Sequence, residues 1–180
     1  MKFPRTLSLI PLVLAPAIGQ TDRPDLAADK LVRDDALVRG LGHARAKLGD
    51  LVLQADEATW HNDTGELEMR GHVHVTLPAR EDHTVVRYQI DILLTDQPIG
   101  LTADRAAVKG GLLEASGNIV LVPVDPELPK AEIRGDELSM KLKVGDATLR
   151  GNVRRSGFPE PDNSPPFSFH LRPFPPEIIR

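Results

Sequence analysis

The sequence predicts an all-β protein built from repeated, bent strands that stack side by side. Three observations support this fold class. Apolar and polar residues alternate with a period of two over most of the body, which is typical of strands with one buried face. Short sequences rich in Gly, Pro, Asn and Asp separate the alternating runs and predict turns. Finally, four units share one pattern, in which a glycine stands in the middle of a strand.

The N-terminal segment, residues 1–19, is expected to be an export signal. Lys2 and Arg5 give it a positively charged start, and residues 7–18 form an apolar run of signal-peptide length. Small residues at the end of this run offer cleavage sites that would start the mature chain near Gln20. The run is shorter than the ~20 residues of an ordinary membrane span, although an uncleaved membrane anchor is the alternative. We therefore expect an exported, periplasmic protein.

The body, residues 20–157, contains five clear alternating runs. They are residues 38–48, 66–77, 88–94, 113–121 and 147–153. Turn sequences are found at residues 61–65, 78–82, 96–98, 109–111 and 123–129. No segment has the apolar periodicity of a long amphipathic helix. The body is expected to be a single β domain.

Four units of the body repeat one sequence pattern, which indicates a repeat architecture. Each unit begins with a small residue and an aspartate, and its next strand carries a glycine followed by His or Asn and an apolar residue. The aspartates are Asp29, Asp56, Asp104 and Asp136, and the glycines are Gly42, Gly71, Gly117 and Gly151. Glycine inside a strand marks a bend or a close backbone approach. Since these glycines fall in the apolar phase, we expect them to face inward and to bend every strand at the same level. The bent strands would form a folded-over sheet with open ends and unpaired edge strands.

The C-terminal segment, residues 158–180, is a proline-rich tail. Its seven prolines lack backbone donors, which excludes a central strand or a helix interior. Residues 167–171 alternate as an edge-type strand would, and the remainder is expected to be extended.

The amino-acid composition excludes several classes of protein function. The chain has 180 residues, a formal net charge of −4 and no cysteine. The acidic balance argues against nucleic acid as a partner, and the lack of cysteine excludes disulfides, thiolate metal ligands and a cysteine nucleophile. Between Pro4 and Gly157 the aromatic residues are Trp60 and Tyr88 alone, so the interior must be almost entirely aliphatic.

The repeated units resemble the OstA-like domain, a periplasmic lipopolysaccharide-transport module of the LptA, LptC and LptD N-terminal type. The resemblance covers roughly residues 26–155, and its layout is most similar to the LptA type. The motifs that carry it are residues 55–60, 64–75 and 149–153. It implies a β-jellyroll of bent antiparallel strands whose open apolar groove holds acyl chains and whose edges pair head-to-tail with homologous domains or further copies. His43 and His72 stand where this family usually has Asn, and the tail has no counterpart in it.

The aliphatic inner face is the candidate binding site. With few large aromatic side chains to fill a core, it suits alkyl chains, whose burial gains about 0.8 kcal/mol per methylene. The candidate lipid-groove residues are Leu53, Leu67, Met69, Val73, Val75, Ile90, Ile92, Ile119, Leu121, Leu149 and Val153. The alternative interpretation of the same residues is an ordinary filled core without a ligand.

Neither a catalytic centre nor a metal or cofactor site is expected. The repeated aspartates would lie in a row, whereas general acid–base chemistry needs groups that converge on one reacting atom; turn or outward roles at the strand starts fit them better. His72 and His74 share a strand face and, with His61 or His83, would offer metal ligands, but they lie in the polar, outward phase. The sequence contains no nucleophile elbow, Walker loop or dinucleotide-binding motif.

The sequence therefore predicts a non-enzymatic periplasmic protein that shields lipopolysaccharide, or a similar amphiphile, and bridges inner- and outer-membrane components by edge-strand pairing. Two alternatives stay open. One is a membrane-anchored, LptC-like component held by residues 7–18, and the other is a structural β-repeat protein that binds no ligand.

Overall fold

The computed structural model describes residues 23–79, 84–88, 91–95, 97–124, 131–157 and 170–173. Within these ranges the chain forms thirteen strands and no helix, which confirms the predicted all-β class. The strands are β1 (Asp25–Ala27), β2 (Lys30–Arg33), β3 (Leu37–Leu48), β4 (Leu51–His61), β5 (Glu66–Leu77), β6 (Thr84–Tyr88), β7 (Asp91–Thr95), β8 (Ile99–Lys109), β9 (Leu112–Pro123), β10 (Glu132–Lys141), β11 (Asp146–Arg150), β12 (Arg154–Ser156) and β13 (His170–Pro173).

The strands form one sheet in the order β1-β3-β4-β5-β8-β9-β10-β11-β6-β7-β13, with β2 also beside β3 and β12 also beside β10. Neighbouring strands are antiparallel except β11 and β6, which are parallel. No helix in the described part of the chain is long and apolar enough to cross a membrane.

Each long strand belongs to two half-sheets that meet at a bend. One part of β3 pairs with β1 and the other with β2, and β10 likewise pairs with β12 by one end and with β11 by the other. The register of all five long strand pairs shifts at this level. We call the half that contains β1 and β12 the first half-sheet, and the half that contains β2 and β11 the second half-sheet. The predicted stack of bent strands is confirmed.

The alternation of buried and solvent-facing residues explains how one sheet folds onto itself. In β8 and β10, the aspartate and the residue after it are both exposed, so the buried phase moves by one position at the bend. In β5 and β9 the buried phase continues unchanged, because these strands take one extra residue there. Both half-sheets thereby keep their apolar residues on the inner side, as a two-layer core requires.

The core lies between the two half-sheets and forms one cluster of buried side chains. Small residues flank the bend, among them Ala44, Ala55, Ala58, Ala103, Ala106 and Ala115. A Cβ added to Gly40 would lie 2.9 Å from the Cβ of Ala28, which shows how closely the layers approach there. Leucine, isoleucine, methionine and valine fill much of the space farther from the bend.

The C-terminal end of the second half-sheet differs from a simple stack. Strands β6 and β7 form a hairpin, and β6 adds to β11. Val86 is fully buried in the core, and Arg87 forms a salt bridge of 3.1 Å with Asp146 of β11. Strand β13 of the tail then pairs with β7. At this end of the stack the edge strands are therefore β12 and β13, and β11 is covered by the hairpin.

The hairpin also corrects the strand predicted at residues 88–94. The chain forms β6 before this run and β7 within it, and the two strands pair antiparallel from Thr84↔Thr95 to Tyr88↔Asp91. The alternation of Tyr88, Ile90, Ile92 and Leu94 continues through the connection, so it gave no sign of a chain reversal. Residues 167–169 of the predicted tail strand lie outside the described residues, whereas His170 and Leu171 belong to β13.

Candidate functional site

Nine of the eleven predicted lipid-groove residues lie in the interior or pack against it. Eight of them are at most 2% exposed: Leu53, Leu67, Met69, Val73, Val75, Ile119, Leu121 and Leu149. Val153 is partly buried and packs against the same cluster. Ile92 lies on β7, and Ile90 lies outside the described residues. The structure thus brings residues from both half-sheets into one aliphatic layer, which their own side chains fill.

A row of polar pairs follows the outer side of the bend, and we call it the corner ridge. Its members are Asp29, Gly42, His43, Asp56, Gly71, His72, Asp104, Gly117, Asn118, Asp136, Gly151 and Asn152. His43 Nδ1 lies 2.7 Å from Asp29 Oδ2, and His72 Nδ1 lies 2.8 Å from Asp56 Oδ2. The amide nitrogens of the two asparagines donate to Asp104 and Asp136 at 2.9 and 2.7 Å. The four sequence repeats are therefore four copies of one side-chain contact.

The local backbone explains why glycine precedes His or Asn in every copy. The four ridge glycines have φ between 70 and 78°, and the residues after them have φ between 43 and 47°. Glycine adopts this left-handed region freely, and Asn and His are enriched there among other residues. A Cβ on any of the four glycines would collide with Oδ2 of its paired aspartate. Two separate reasons therefore require glycine at each of these positions: the left-handed backbone conformation and the lack of space for a side chain.

These glycines do not face the core, so the prediction that they face inward is wrong. The space beyond each glycine is taken by an aspartate, and the side chains of Asp29 and Asp56 are 64% and 60% exposed. The four glycines lie at the level of the bend, on its solvent side. The repeated aspartates serve as their partners at the bend.

The electrostatics of the ridge differ between its two ends. A hydrogen bond to Asp29 raises the pKa of His43, and the charge of Asp29 adds to this effect. Asp56 raises the pKa of His72 in the same way. The two later copies carry asparagine, which does not titrate. The N-terminal half of the ridge therefore gains positive charge as the pH falls, and the C-terminal half does not.

The described side-chain hydrogen bonds of the ridge are those within its four pairs. Each aspartate contacts its own partner, so the carboxylates do not converge. In the described ranges no three His, Cys, Asp or Glu side chains are placed to hold a metal ion. Of the other histidines considered as metal ligands, His61 has its Nε2 3.8 Å from Glu68 Oε1, and His74 is exposed on β5. His83 lies outside the described residues.

Sequence reasoning missed a surface groove of 600 Å³ on the outer face of the second half-sheet. It is lined by charged residues, among them Arg70, Arg105, Glu114, Glu137 and Arg150, and by smaller ones such as Ala107, Ser116 and Ser139. The strand register places Arg70 opposite Arg105 and Glu137 opposite Arg150. Alternation alone identifies such residues as outward-facing, but only the register shows which of them are neighbours.

Comparison with known proteins finds a likeness of structure. No family model and no curated protein matches the sequence. Among solved structures, LptH of Pseudomonas aeruginosa, the LptA-homologous periplasmic component of the lipopolysaccharide transport device, matches with a TM-score of 0.57 and 10% identity. The match covers 78% of this chain and 100% of that chain.

This chain has the LptA-like fold. At 10% identity the likeness establishes the architecture, which agrees with the β-jellyroll that the repeat motifs implied. The motif resemblance thereby gains structural support, although no family model matches the sequence.

Proposed function

We propose that this chain is a non-enzymatic periplasmic carrier that shelters the acyl chains of lipopolysaccharide, or of a similar amphiphile, between its two half-sheets. The observation that carries the proposal is a continuous aliphatic interior in an LptA-like fold. Trp60 is the one aromatic residue among the buried core residues that the structure describes. Each methylene transferred from water into such an interior gains about 0.8 kcal/mol. The interior needs no catalytic group for this role, and the energy for transfer would come from a partner.

Acyl chains must separate the half-sheets to enter, because the inner side chains are already buried. The two half-sheets are continuous at the bend, so they are expected to separate along the side opposite the bend. At the C-terminal end the β6–β7 hairpin connects them, since it leaves the first half-sheet after Leu77 and pairs with β11 of the second. Opening is therefore expected to be easier at the N-terminal end.

The N-terminal edge is the proposed docking edge for a homologous transport domain. Strands β1 and β2 have β3 on one side, and no described strand on the other. Leu31 and Val32 of β2 are 37% and 42% exposed. An unpaired strand of this kind is a template for pairing with another chain. At the other end the hairpin and β13 cover β11, so we propose docking at one edge rather than growth of long homo-oligomers.

Photo-crosslinking from the interior tests the carrier function. Met69 and Met140 face inward and are at most 3% exposed, and photo-methionine replaces methionine with little change in shape. We expect both positions to crosslink to lipopolysaccharide through its acyl chains. The matched control carries Met69→Leu and Met140→Leu, with the outward substitutions Glu68→Met and Ser139→Met.

The control protein should bind lipopolysaccharide without crosslinking to acyl chains. Equal crosslinking from both faces, or a complete lack of lipid uptake by a folded protein, would contradict the proposal. The second result would favour a structural β-repeat protein with a filled core.

A further inference from the structure

A second pocket lies at the N-terminal end of the stack, and the sequence repeats do not involve it. It has a volume of 280 Å³ and is lined by Arg23, Asp25, Leu26, Arg33, Val38 and Trp60, among others. Leu26 lies on β1 of the first half-sheet, whereas Arg33, Val38 and Trp60 lie on β2, β3 and β4 in the second. The pocket therefore sits where the half-sheets part, at the end away from the hairpin.

The floor of this pocket is continuous with the interior. Val38 and Trp60 are 4% and 6% exposed and belong to the core cluster, and Leu26 packs against that cluster. Val38 and Trp60 are direct cross-strand partners, and Leu67, a predicted groove residue, lies opposite Trp60 on the other side. An alkyl chain that enters here would meet the aliphatic layer without crossing a polar surface.

The rim of the pocket is cationic. Within the described part of the chain, the side chains of Arg23 and Arg33 make no hydrogen bond or ion pair. Asp25 is the one acidic residue among the described residues that line the pocket. Free guanidinium groups present paired donors that match the oxygens of a phosphate. Two such groups around an apolar floor suit an anionic head joined to an alkyl chain.

Trp60 provides a second, independent observation. Its side chain is almost fully buried, and its indole N–H donates to no described residue. A buried donor without an acceptor costs free energy, and a ligand oxygen in the pocket would supply that acceptor.

We propose that this pocket binds the phosphate-bearing end of an amphiphile, with the phosphate at Arg23 and Arg33 and the first methylenes against Leu26, Val38 and Trp60. The volume is near the lower limit of ligand pockets, so it suits the junction of head and chain rather than a whole lipid. The inference rests on the proposed carrier function, because the rest of the chain would continue between the half-sheets.

The fluorescence of Trp60 tests this proposal directly, since the chain contains a single tryptophan. The purified chain is titrated with dodecyl phosphate below its micellar concentration, and in parallel with dodecyl maltoside and with inorganic phosphate. We expect a saturable change in Trp60 emission with dodecyl phosphate. The concentration for half of this change should be about tenfold or more lower than for dodecyl maltoside, because the phosphate forms a charge-assisted contact with the guanidinium groups. Inorganic phosphate should compete with dodecyl phosphate. Equal responses to the two detergents would overturn the proposal.

Substitutions at the rim give the second measurement. Arg23→Gln and Arg33→Gln should each weaken dodecyl phosphate binding several-fold, with little effect on dodecyl maltoside. Arg154→Gln on the exposed strand β12 is the matched control, because it removes the same charge at the opposite end. If Arg154→Gln weakened binding as much as Arg33→Gln, the effect would be one of net charge and the pocket assignment would be wrong.

The two proposals fail in different ways. Crosslinking from Met69 without any response of Trp60 to dodecyl phosphate would overturn the pocket and leave the carrier function standing. A selective Trp60 response without crosslinking from Met69 or Met140 would overturn the carrier function.

Discussion

At the scale of residues, the corner ridge restricts which amino acids can occupy two neighbouring positions in each copy. The first residue must be glycine, because its φ is left-handed and an aspartate occupies the space beyond it. The second must tolerate the left-handed region and also offer a nitrogen to that aspartate. Asn and His satisfy both conditions, which explains why the first two copies can carry His and the last two Asn.

A comparison of two variants, Gly117→Ala and Gly111→Ala, separates the cost of the left-handed backbone from the cost of a collision with the aspartate. The φ angles are +78° and +79°, but a Cβ at Gly111 meets nothing within 4 Å, whereas one at Gly117 collides with Asp104. Gly111→Ala should lower the free energy of unfolding by about 1–2 kcal/mol through backbone strain alone. Gly117→Ala should lower it by about 1–3 kcal/mol more, as overpacking does. Urea denaturation of both variants measures this difference, and equal losses would show that the aspartate yields without cost.

The two histidines of the ridge predict a pH dependence of stability. Their partners raise the pKa of His43 and His72 in the folded state. Their contribution is therefore fully present below the unfolded value of about 6.5 and is lost as the pH rises through the folded pKa. We expect His43→Asn/His72→Asn to lose less thermal stability than the native chain between about pH 6 and pH 8. Identical pH profiles in melting experiments would mean that the imidazole–carboxylate pairs contribute nothing measurable.

At the scale of elements, the sequence predicted individual strands better than their partners. The run at residues 66–77 corresponds to β5, and the run at 113–121 lies within β9, because alternation is a local signal. The β6–β7 hairpin was missed since residues 89 and 90, Gln and Ile, lack turn chemistry. Its parallel pairing with β11 joins segments that are distant in sequence, and no local pattern encodes such a contact.

Val86→Asp tests whether the hairpin closes the C-terminal end of the sheet. Val86 is fully buried, so a carboxylate there should release β6 from β11 at a cost of about 2 kcal/mol or more. We expect faster hydrogen exchange in residues 84–88 and 146–149, together with self-association in sedimentation experiments through the uncovered edge of β11. Val85→Asp, on the less buried side of the same strand, is the control. A monomeric Val86→Asp protein with unchanged exchange would show that the hairpin does not protect this edge.

At the scale of the whole molecule, the repeats were sufficient to predict the stack and the aliphatic interior. Eight of the eleven predicted groove residues are fully buried in one layer, because strand alternation determines which side chains face inward. The N-terminal pocket was beyond sequence reasoning. Arg23, Arg33 and Trp60 come from three segments, and only the folded-over sheet brings them to one opening.

Export and cleavage remain predictions, since residues 1–22 lie outside the described part of the chain. The intact mass of the protein recovered from the periplasm should correspond to a chain that starts near Gln20, because the apolar run is short and small residues end it. Recovery in the membrane fraction with residues 7–18 retained would favour the LptC-like alternative.

The parallel contact between β6 and β11 also determines the order in which the chain can fold. The other neighbours from β1 to β11 are close in sequence, or separated by the hairpin alone, so the stack can grow one strand at a time. Arg87 and Asp146 are 59 residues apart, and closing so long a loop is slow and entropically costly. The β6–β7 hairpin therefore pairs with β11 only after β11 has formed, and until then the edges of its strands are unpaired. In pulse-labelling hydrogen exchange we expect the amides of residues 85–88 to be among the last protected, which makes the unfolded chain most vulnerable to aggregation at this segment.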